Sequence, residues 1–195
     1  MERWCIRELE EWKNSSTRKP LLLLGARQVG KTWLAREFGR THYKNVVHVR
    51  FDRDDYVRRS FEKDYDIPRL LDTLQVHSRA QIVPGKTLII LDEIQECPYA
   101  VTALKYFCED APEQHIIAAG SLLGLSVHTG SGFPVGKVNR LYMYPMSFTE
   151  FLNAMGYGMY VDIIRKRDWG MMKIFHDKFE ELLRQYYFVG GMPAA

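Results

Sequence analysis

Short apolar segments recur along the first three quarters of the chain and alternate with segments of helical periodicity. Several are apolar throughout, which is typical of strands buried on both faces of a parallel sheet, whereas others alternate apolar and polar side chains. The sequence predicts five strands, at Pro20–Leu24, Asn45–Phe51, Thr87–Leu91, His115–Ala119 and Val138–Tyr144. It predicts helices over Lys31–Gly39, over Ile67–His77 and from Pro98 to the Ala111-Pro112 break. Strands that alternate with helices favour an α/β fold with a parallel five-stranded sheet flanked by helices.

The pattern changes after Pro145, where only helical periodicity remains. Ser147 and Glu150 have the spacing of a capping box at the start of a helix. Farther along, apolar positions predict one long amphipathic helix over residues 171–187. We therefore divide the chain into a core at residues 1–145 and a helical extension at residues 146–195.

Composition excludes several classes of protein. The 195 residues are 46% hydrophobic and 26% charged, which excludes intrinsic disorder. No apolar run exceeds four residues, and the charged N-terminal segment lacks the apolar centre of a signal peptide, so we expect a cytoplasmic protein without a membrane partner. The three cysteines lack metal-binding spacing. A net charge of +3 neither requires nor excludes a nucleic-acid partner.

Residues 25–32, GARQVGKT, match the phosphate-binding pattern G-x-x-x-x-G-K-[ST] in full, between a predicted strand and a predicted helix. The glycines let backbone N–H groups point at phosphate oxygens, and the helix adds the positive end of its dipole. Lys31 is expected to reach the β and γ phosphates, and Thr32 to bind Mg²⁺. The alternative is a glycine turn that binds nothing. The candidate ATP-binding residues are Gly25, Ala26, Arg27, Gln28, Val29, Gly30, Lys31, Thr32 and Trp33.

A second motif, LIILDE at residues 88–93, is an apolar strand that ends in two carboxylates. Asp92 is expected to hold Mg²⁺ through water, together with Thr32. Glu93 is expected to be the general base that activates the water attacking the γ phosphate. An exposed acidic turn is the alternative, which the complete phosphate loop disfavours. The pair also disfavours a P-loop kinase, since a kinase has no use for a water-activating carboxylate here.

The remaining candidates lie farther along the chain. Ser121 closes the strand that begins at His115. In P-loop ATPases that carry such an Asp-Glu pair, this strand is expected between the strands that end here at Gly25 and Asp92. Its hydroxyl is a candidate contact for the γ phosphate or the attacking water, with capping of the next turn as the alternative. A loop rich in Gly, Ser, Thr and Pro is predicted over residues 124–136. Lys137 and Arg140 are candidates for a cation that neutralises transition-state charge, often supplied by a neighbouring subunit, or are solvated basic residues. The assigned catalytic residues are Lys31, Glu93, Ser121 and Arg140.

The segments GARQVGKT, LDEIQECP, AAGSLLGLS, FPVGKV, YPMSFTEFL and VGGMP cover most of the chain. In this order they resemble bacterial and archaeal AAA-type ATPases whose full-length members carry a C-terminal domain of unknown function. The resemblance implies an AAA+ core that binds ATP and Mg²⁺, with Ser121 as the sensor. In that family the chain continues beyond the Gly-Met-Pro motif, so we expect the 195 residues to be an N-terminal fragment. Lys137 stands where many relatives have arginine, which weakens the case for a single arginine finger.

The sequence thus predicts a Mg²⁺-dependent ATP hydrolase of the AAA+ type that couples nucleotide state to movement of the helices after Pro145. The alternatives are a switch that binds ATP without hydrolysing it and, less favoured, a P-loop kinase. ATP is the expected partner. A homo-oligomer and a DNA or protein client are both left open by the sequence.

Overall fold

A parallel sheet forms the centre of the molecule. The computed structural model describes residues 3–121 and 134–193. Its strands, β1 (Leu21–Gly25), β2 (Asn45–Arg50), β3 (Thr87–Asp92), β4 (His115–Ser121) and β5 (Asn139–Met143), lie in the order β2-β3-β4-β1-β5. Every neighbouring pair is parallel. The predicted fold class is confirmed, as is the place of β4 between β1 and β3. Most of the loop predicted over residues 124–136, with parts of the segments AAGSLLGLS and FPVGKV, lies outside the described residues.

Helices cover the sheet and make up the part of the chain after β5. They are α1 (Cys5–Asn14), α2 (Lys31–His42), α3 (Asp55–Lys63), α4 (Ile67–Ser78), α5 (Pro98–Asp110), α6 (Phe148–Ala154), α7 (Gly158–Lys166), α8 (Trp169–Ile174) and α9 (His176–Val189), with a short 3-10 turn at Ile94–Glu96. The predicted starts of α2, α4 and α5 are confirmed, and so is the capping box that opens α6. Over residues 3–121 and 134–193, no helix has the length and apolar character needed to cross a membrane.

Helices α1, α3 and α7 were not predicted, and each of them buries three side chains or fewer. In α3 the buried side chains are Val57 and Phe61, one helical turn apart. In α7 only Val161 is buried among the described side chains. In α3, two buried positions one turn apart are too few to distinguish a helix from a polar connection by periodicity.

The long helix predicted over residues 171–187 is wrong, since the chain leaves the helical conformation at Phe175. Helix α8 ends at Ile174, and α9 starts at His176. The rings of Phe175 and Phe179 both contact Tyr160 of α7, with centroid distances of 5.7 and 5.0 Å. The apolar stripe therefore continues across the break, and apolar spacing alone does not reveal it.

The core has two layers, because side chains of successive strand residues point to opposite faces of the sheet. Leu22 and Leu24 of β1 join the cluster that includes α3, α4 and α5, whereas Leu21 and Leu23 join the cluster under α1 and α2. A separate cluster binds α6, α7 and α9 together through Phe151, Leu152, Val161 and Leu182. Burial on both faces explains why the central residues of β1, β3 and β4 are apolar. The carboxyl ends of these three strands meet at one edge of the sheet.

A substitution at Gly39 tests how closely α2 packs against the sheet. A Cβ atom there would lie 2.7 Å from Cγ2 of Val46 and 3.2 Å from Cδ2 of Leu88. We expect Gly39→Ala to lower the free energy of unfolding by about 1–3 kcal/mol, although alanine is the better helix former. Denaturant unfolding measures this. Gly170→Ala in α8 is the control, because its Cβ would make only an ordinary contact with Asp168, and it should be neutral or stabilising. Equal effects of the two substitutions would contradict the packing argument.

Candidate functional site

The loop between β1 and α2 is curled tightly by its glycines. Gln28 and Gly30 have positive φ angles of 64° and 97°. A Cβ atom at Gly25 would collide with the backbone carbonyl oxygen of Met143 on β5, so only glycine fits at the end of β1. The loop leaves β1, turns back over the sheet edge, and enters α2 at Lys31. Its backbone and the start of α2 thus face the space above the edge, where an anion is favoured.

Lys31 is buried at this edge, with 8% of its surface exposed. Its Nζ donates to the carbonyl oxygens of Gly25 at 3.0 Å and Ala26 at 2.7 Å. Burial lowers the pKa of Lys31, while the nearby negative charges of Glu93 and Asp92 oppose that shift. A desolvated ammonium group held by two neutral carbonyls gains from contact with a negatively charged ligand. The loop and this lysine therefore fit a phosphate group.

Asp92 and Thr32 meet directly beside Lys31. The Thr32 hydroxyl donates to Oδ2 of Asp92 at 2.8 Å, and Nε2 of His48 lies 3.3 Å from the same oxygen. Burial by itself would raise the pKa of Asp92, but the hydrogen bonds from His48 and Thr32 outweigh it, and the pKa is lowered. The carboxylate is therefore ionised at neutral pH. His48 was not predicted, and its only signal is a polar residue on the alternating strand β2.

The hydroxyl and carboxylate oxygens of Thr32 and Asp92 are ligands of the kind that Mg²⁺ prefers. Within the described ranges, no group of three or more His, Cys, Asp or Glu side chains could hold a metal ion. A cation bound at Thr32 and Asp92 would thus take further oxygens from its ligand or from water, as Mg²⁺ does with phosphates. The residues present fit Mg²⁺ that enters together with a nucleotide.

Glu93 follows β3 in a left-handed conformation, with φ of 51° and ψ of 44°. Such a backbone is uncommon for a residue other than glycine, and it is frequent at functional sites. Nε2 of Gln95 donates to Oε2 of Glu93 at 2.5 Å, and Oε1 of Gln95 accepts from the Ser121 backbone N–H at 3.2 Å. Gln95 was also not predicted, because a glutamine two residues after Glu93 has no distinctive spacing. Ser121 itself is buried and pairs with Gly25.

A cleft of about 860 Å³ opens at this edge of the sheet. Predicted site residues form most of its wall, and Asp52, Glu96 and Pro193 were not predicted there. The lining residues are Arg27, Gln28, Gly30, Lys31, Thr32, Trp33, Asp52, Glu93, Glu96 and Pro193. Of the other predicted site residues, Ala26 contributes its carbonyl to Lys31, and Val29 is buried in the core. Asp92 is buried and does not line the cleft, but it accepts the hydrogen bond from Thr32, which does.

Arg140 and Lys137 lie away from this cleft within the chain. Arg140 pairs with Leu22, whereas Met143 pairs with Gly25 at the loop end of the same strands. Three residues of strand span about 10 Å, so the backbone of Arg140 lies toward the opposite edge of the sheet. Lys137 forms an ion pair with Glu109 at 2.9 Å. The structure does not bring either residue to Lys31 within one chain, and Arg27 is the second cation among the described residues of the cleft wall.

A buried ion pair connects the phosphate loop with the helices after β5. Nε of Arg3 donates to Oε1 of Glu150 at 3.0 Å, and the two side chains are 2% and 8% exposed. Arg3 also donates from Nη1 to the Val29 carbonyl at 3.1 Å and from Nη2 to the Tyr144 carbonyl at 2.6 Å. The second carboxylate oxygen of Glu150 accepts from the Ser147 backbone N–H at 2.9 Å. One buried pair thus contacts the N-terminus, the loop and the start of α6.

The end of the described chain contacts the same region. The Met146 N–H donates to the Gly191 carbonyl at 2.6 Å, and a Cβ atom at Gly191 would lie 2.5 Å from the Met146 carbonyl oxygen. Pro193 lines the cleft, and a Cβ atom placed on Gly30 would lie 3.5 Å from its ring. The segment after α9 therefore returns to the phosphate loop.

Comparison with known proteins places this site in a family. The model of a family described as "AAA domain" matches residues 17–152, which is more than half of the chain. The chain belongs to this AAA domain family. The fold and the loop are those of nucleotide-binding ATPases, which confirms the predicted resemblance to AAA-type ATPases, whereas the C-terminal domain expected after the Gly-Met-Pro motif stays a prediction. A search of curated proteins finds no match.

Solved structures share the fold at low sequence identity. A Walker-type ATPase of Pyrococcus abyssi is 17% identical with a TM-score of 0.52, over 92% of this chain and 74% of that one. The Aeropyrum pernix ORC1 protein in complex with DNA is 15% identical with a TM-score of 0.51, over 77% of this chain and 47% of that one. Drosophila ORC bound to DNA is 14% identical with a TM-score of 0.54, over 86% and 47%. The chain thus spans less than half of the two ORC chains.

Proposed function

We propose that this AAA-domain protein binds ATP with Mg²⁺ in the cleft, hydrolyses it, and couples nucleotide state to helices α6 to α9. The observation that supports this best is the buried Lys31, which donates to two neutral carbonyls beside the Thr32–Asp92 pair. This arrangement would bind a phosphate group and a divalent cation side by side. We keep the division into a core at residues 1–145 and a helical extension at residues 146–195 as part of the proposal.

In the proposed complex, Lys31 exchanges the Gly25 and Ala26 carbonyls for oxygens of the β and γ phosphates. The loop N–H groups and the start of α2 bind the remaining phosphate oxygens. Thr32 and Asp92 would hold Mg²⁺, which would supply positive charge to the phosphates of the nucleotide. Arg27 adds a positive charge at the cleft wall, and the Trp33 side chain also lines the cleft.

For hydrolysis, Glu93 accepts a proton from the attacking water at its carboxylate. The water oxygen bonds to the γ phosphorus while the bond from that phosphorus to the β–γ bridging oxygen breaks, which gives ADP and phosphate. Ser121 is proposed to contact the γ phosphate or that water from the end of β4. The backbone of Arg140 lies toward the far edge of the sheet. Arg140 therefore serves this reaction only in a homo-oligomer, in which it contacts the site of a neighbouring copy. Two of the similar structures are DNA complexes, but that likeness concerns the fold alone, so the client is left unassigned.

Binding is tested by Lys31→Ala. Truncating the buried ammonium removes the main cationic contact to the phosphates, and we expect affinity for ATP to fall at least about tenfold. Titration with a fluorescent ATP analogue in the presence of Mg²⁺ measures it. Lys44→Ala is the control, because this exposed lysine lies after α2, away from the cleft. Unchanged affinity in Lys31→Ala would show that the loop is not the nucleotide site.

Hydrolysis is tested by Glu93→Gln, which keeps the shape of the side chain and removes the base. We expect ATP to bind as before while phosphate release slows by about 10²-fold or more. Binding without turnover in the unaltered chain would instead favour the non-hydrolysing switch, and transfer of phosphate to an added acceptor would favour a kinase. Similar turnover in Glu93→Gln and the unaltered chain would remove Glu93 from the mechanism.

Coupling is tested through Glu150, since the Arg3–Glu150 pair joins the loop to α6. Hydrogen exchange followed by mass spectrometry compares protection with and without ATP in a Glu93→Gln background, which keeps the nucleotide intact. We expect ATP to change protection of both the loop and residues 146–193, and Glu150→Gln to retain only the change at the loop. Glu180→Gln, which removes an exposed partner of Arg184 on α9, is the matched control. The proposed coupling fails if Glu150→Gln, folded by circular dichroism, responds like the control.

A further inference from the structure

The end of β4 extends past the point where β3 leaves the sheet. Residues of the two strands pair only as far as Leu91 with Ala118, whereas β4 continues to Ser121. The chain turns away after Asp92, where Glu93 takes its left-handed conformation. At Ser121 the Gln95 side chain stands where a backbone partner from β3 would otherwise be, because its Oε1 accepts the Ser121 N–H at 3.2 Å.

The other end of the same amide reaches the carboxylate of Glu93. Nε2 of Gln95 lies 2.5 Å from Oε2 of Glu93 and 3.5 Å from Oε1 of Glu96. Gln95 is 7% exposed, so its amide is almost fully removed from water. In this arrangement Glu93 is part of the cleft wall. The amide therefore connects a carboxylate facing the cleft to the backbone of the central sheet.

We propose that Gln95 is a positioning residue that holds the Glu93 carboxylate at the cleft wall, with the end of β4 as its anchor. This rests on the proposed hydrolysis, and it adds a residue that acts through Glu93 without touching the nucleotide. A carboxylate on a flexible side chain has several rotamers, and a base displaced by about 1 Å can lose about 10²-fold in rate. The hydrogen bond from the Gln95 amide restricts that freedom, because the amide is itself buried and bonded to the Ser121 N–H of β4.

The chemistry of the amide suits this role, because it donates and accepts at the same time. Glutamate at position 95 would still accept from the Ser121 N–H, but it would face Glu93 with a second negative charge. Methionine would keep nearly the same volume and lose both hydrogen bonds. The two substitutions therefore separate the contact with Glu93 from the contact with β4.

The test measures phosphate release and binding of a fluorescent ATP analogue for the full chain with Gln95→Glu and Gln95→Met. We expect kcat to fall about tenfold or more in both, with affinity for the analogue within about twofold of the unaltered chain. In a Glu93→Gln background, the same substitutions should change the residual rate by less than about twofold, since the group they position is already gone. Unfolding midpoints show whether each variant folds.

Gln114→Ala is the matched control, because Gln114 is equally buried, at 7% exposure, immediately before the opposite end of β4. It should lower stability and leave kcat unchanged. If the unaltered chain hydrolyses ATP and Glu93→Gln does not, normal kcat in both folded Gln95 variants overturns the positioning role. A loss of the same size in the Glu93→Gln background also overturns it. Absence of turnover in the unaltered chain would overturn the proposed hydrolysis itself, and this inference with it.

Discussion

The ammonium group of Lys31 needs oxygen partners, and the strand order of the sheet determines which oxygens are near it. Because β1 lies between β4 and β5, the loop after Gly25 opens beside the ends of the strands that carry Ser121 and Met143. Asp92 ends β3, one strand beyond β4, and reaches Thr32 across the edge. A different strand order would leave the same motifs in the sequence but separate the lysine from the carboxylates.

The parts of the site that the sequence predicts are those in which local spacing carries the chemistry. The loop of residues 25–32 has its glycines, lysine and threonine within eight positions, and the backbone conformation follows from the glycines. Asp92 and Glu93 follow a strand that is apolar throughout, so the end of the strand can be located without a structure. Strand alternation with helices then specifies the fold class, and the sheet confirms it.

The parts that the sequence does not predict depend on contacts between distant positions or on small departures from regular structure. Arg3 and Glu150 are 147 residues apart, and each has a plausible local explanation as a surface charge or a capping residue. The break at Phe175 preserves the apolar stripe, so periodicity gives no sign of it. The sequence places Arg140 near the start of the last predicted strand. Only the register of that strand with β1 shows how far Arg140 lies from Gly25.

Gly30 lies beside groups from three parts of the chain, which bears on the proposed coupling of the loop to the helices after β5. A Cβ atom on this residue would lie 3.4 Å from Cε of Met143, 3.5 Å from Cγ of Pro193 and 3.8 Å from Nη1 of Arg3. These groups come from the edge strand β5, from the segment after α9 and from the N-terminus. Because close-packed groups transmit strain, any displacement of the loop would act on all three groups. Two of them are tied to α6, Arg3 through Glu150 and the segment of Pro193 through the contact of Gly191 with Met146. Both connections meet at the start of α6, and the coupling proposed above depends on the one through Arg3 and Glu150.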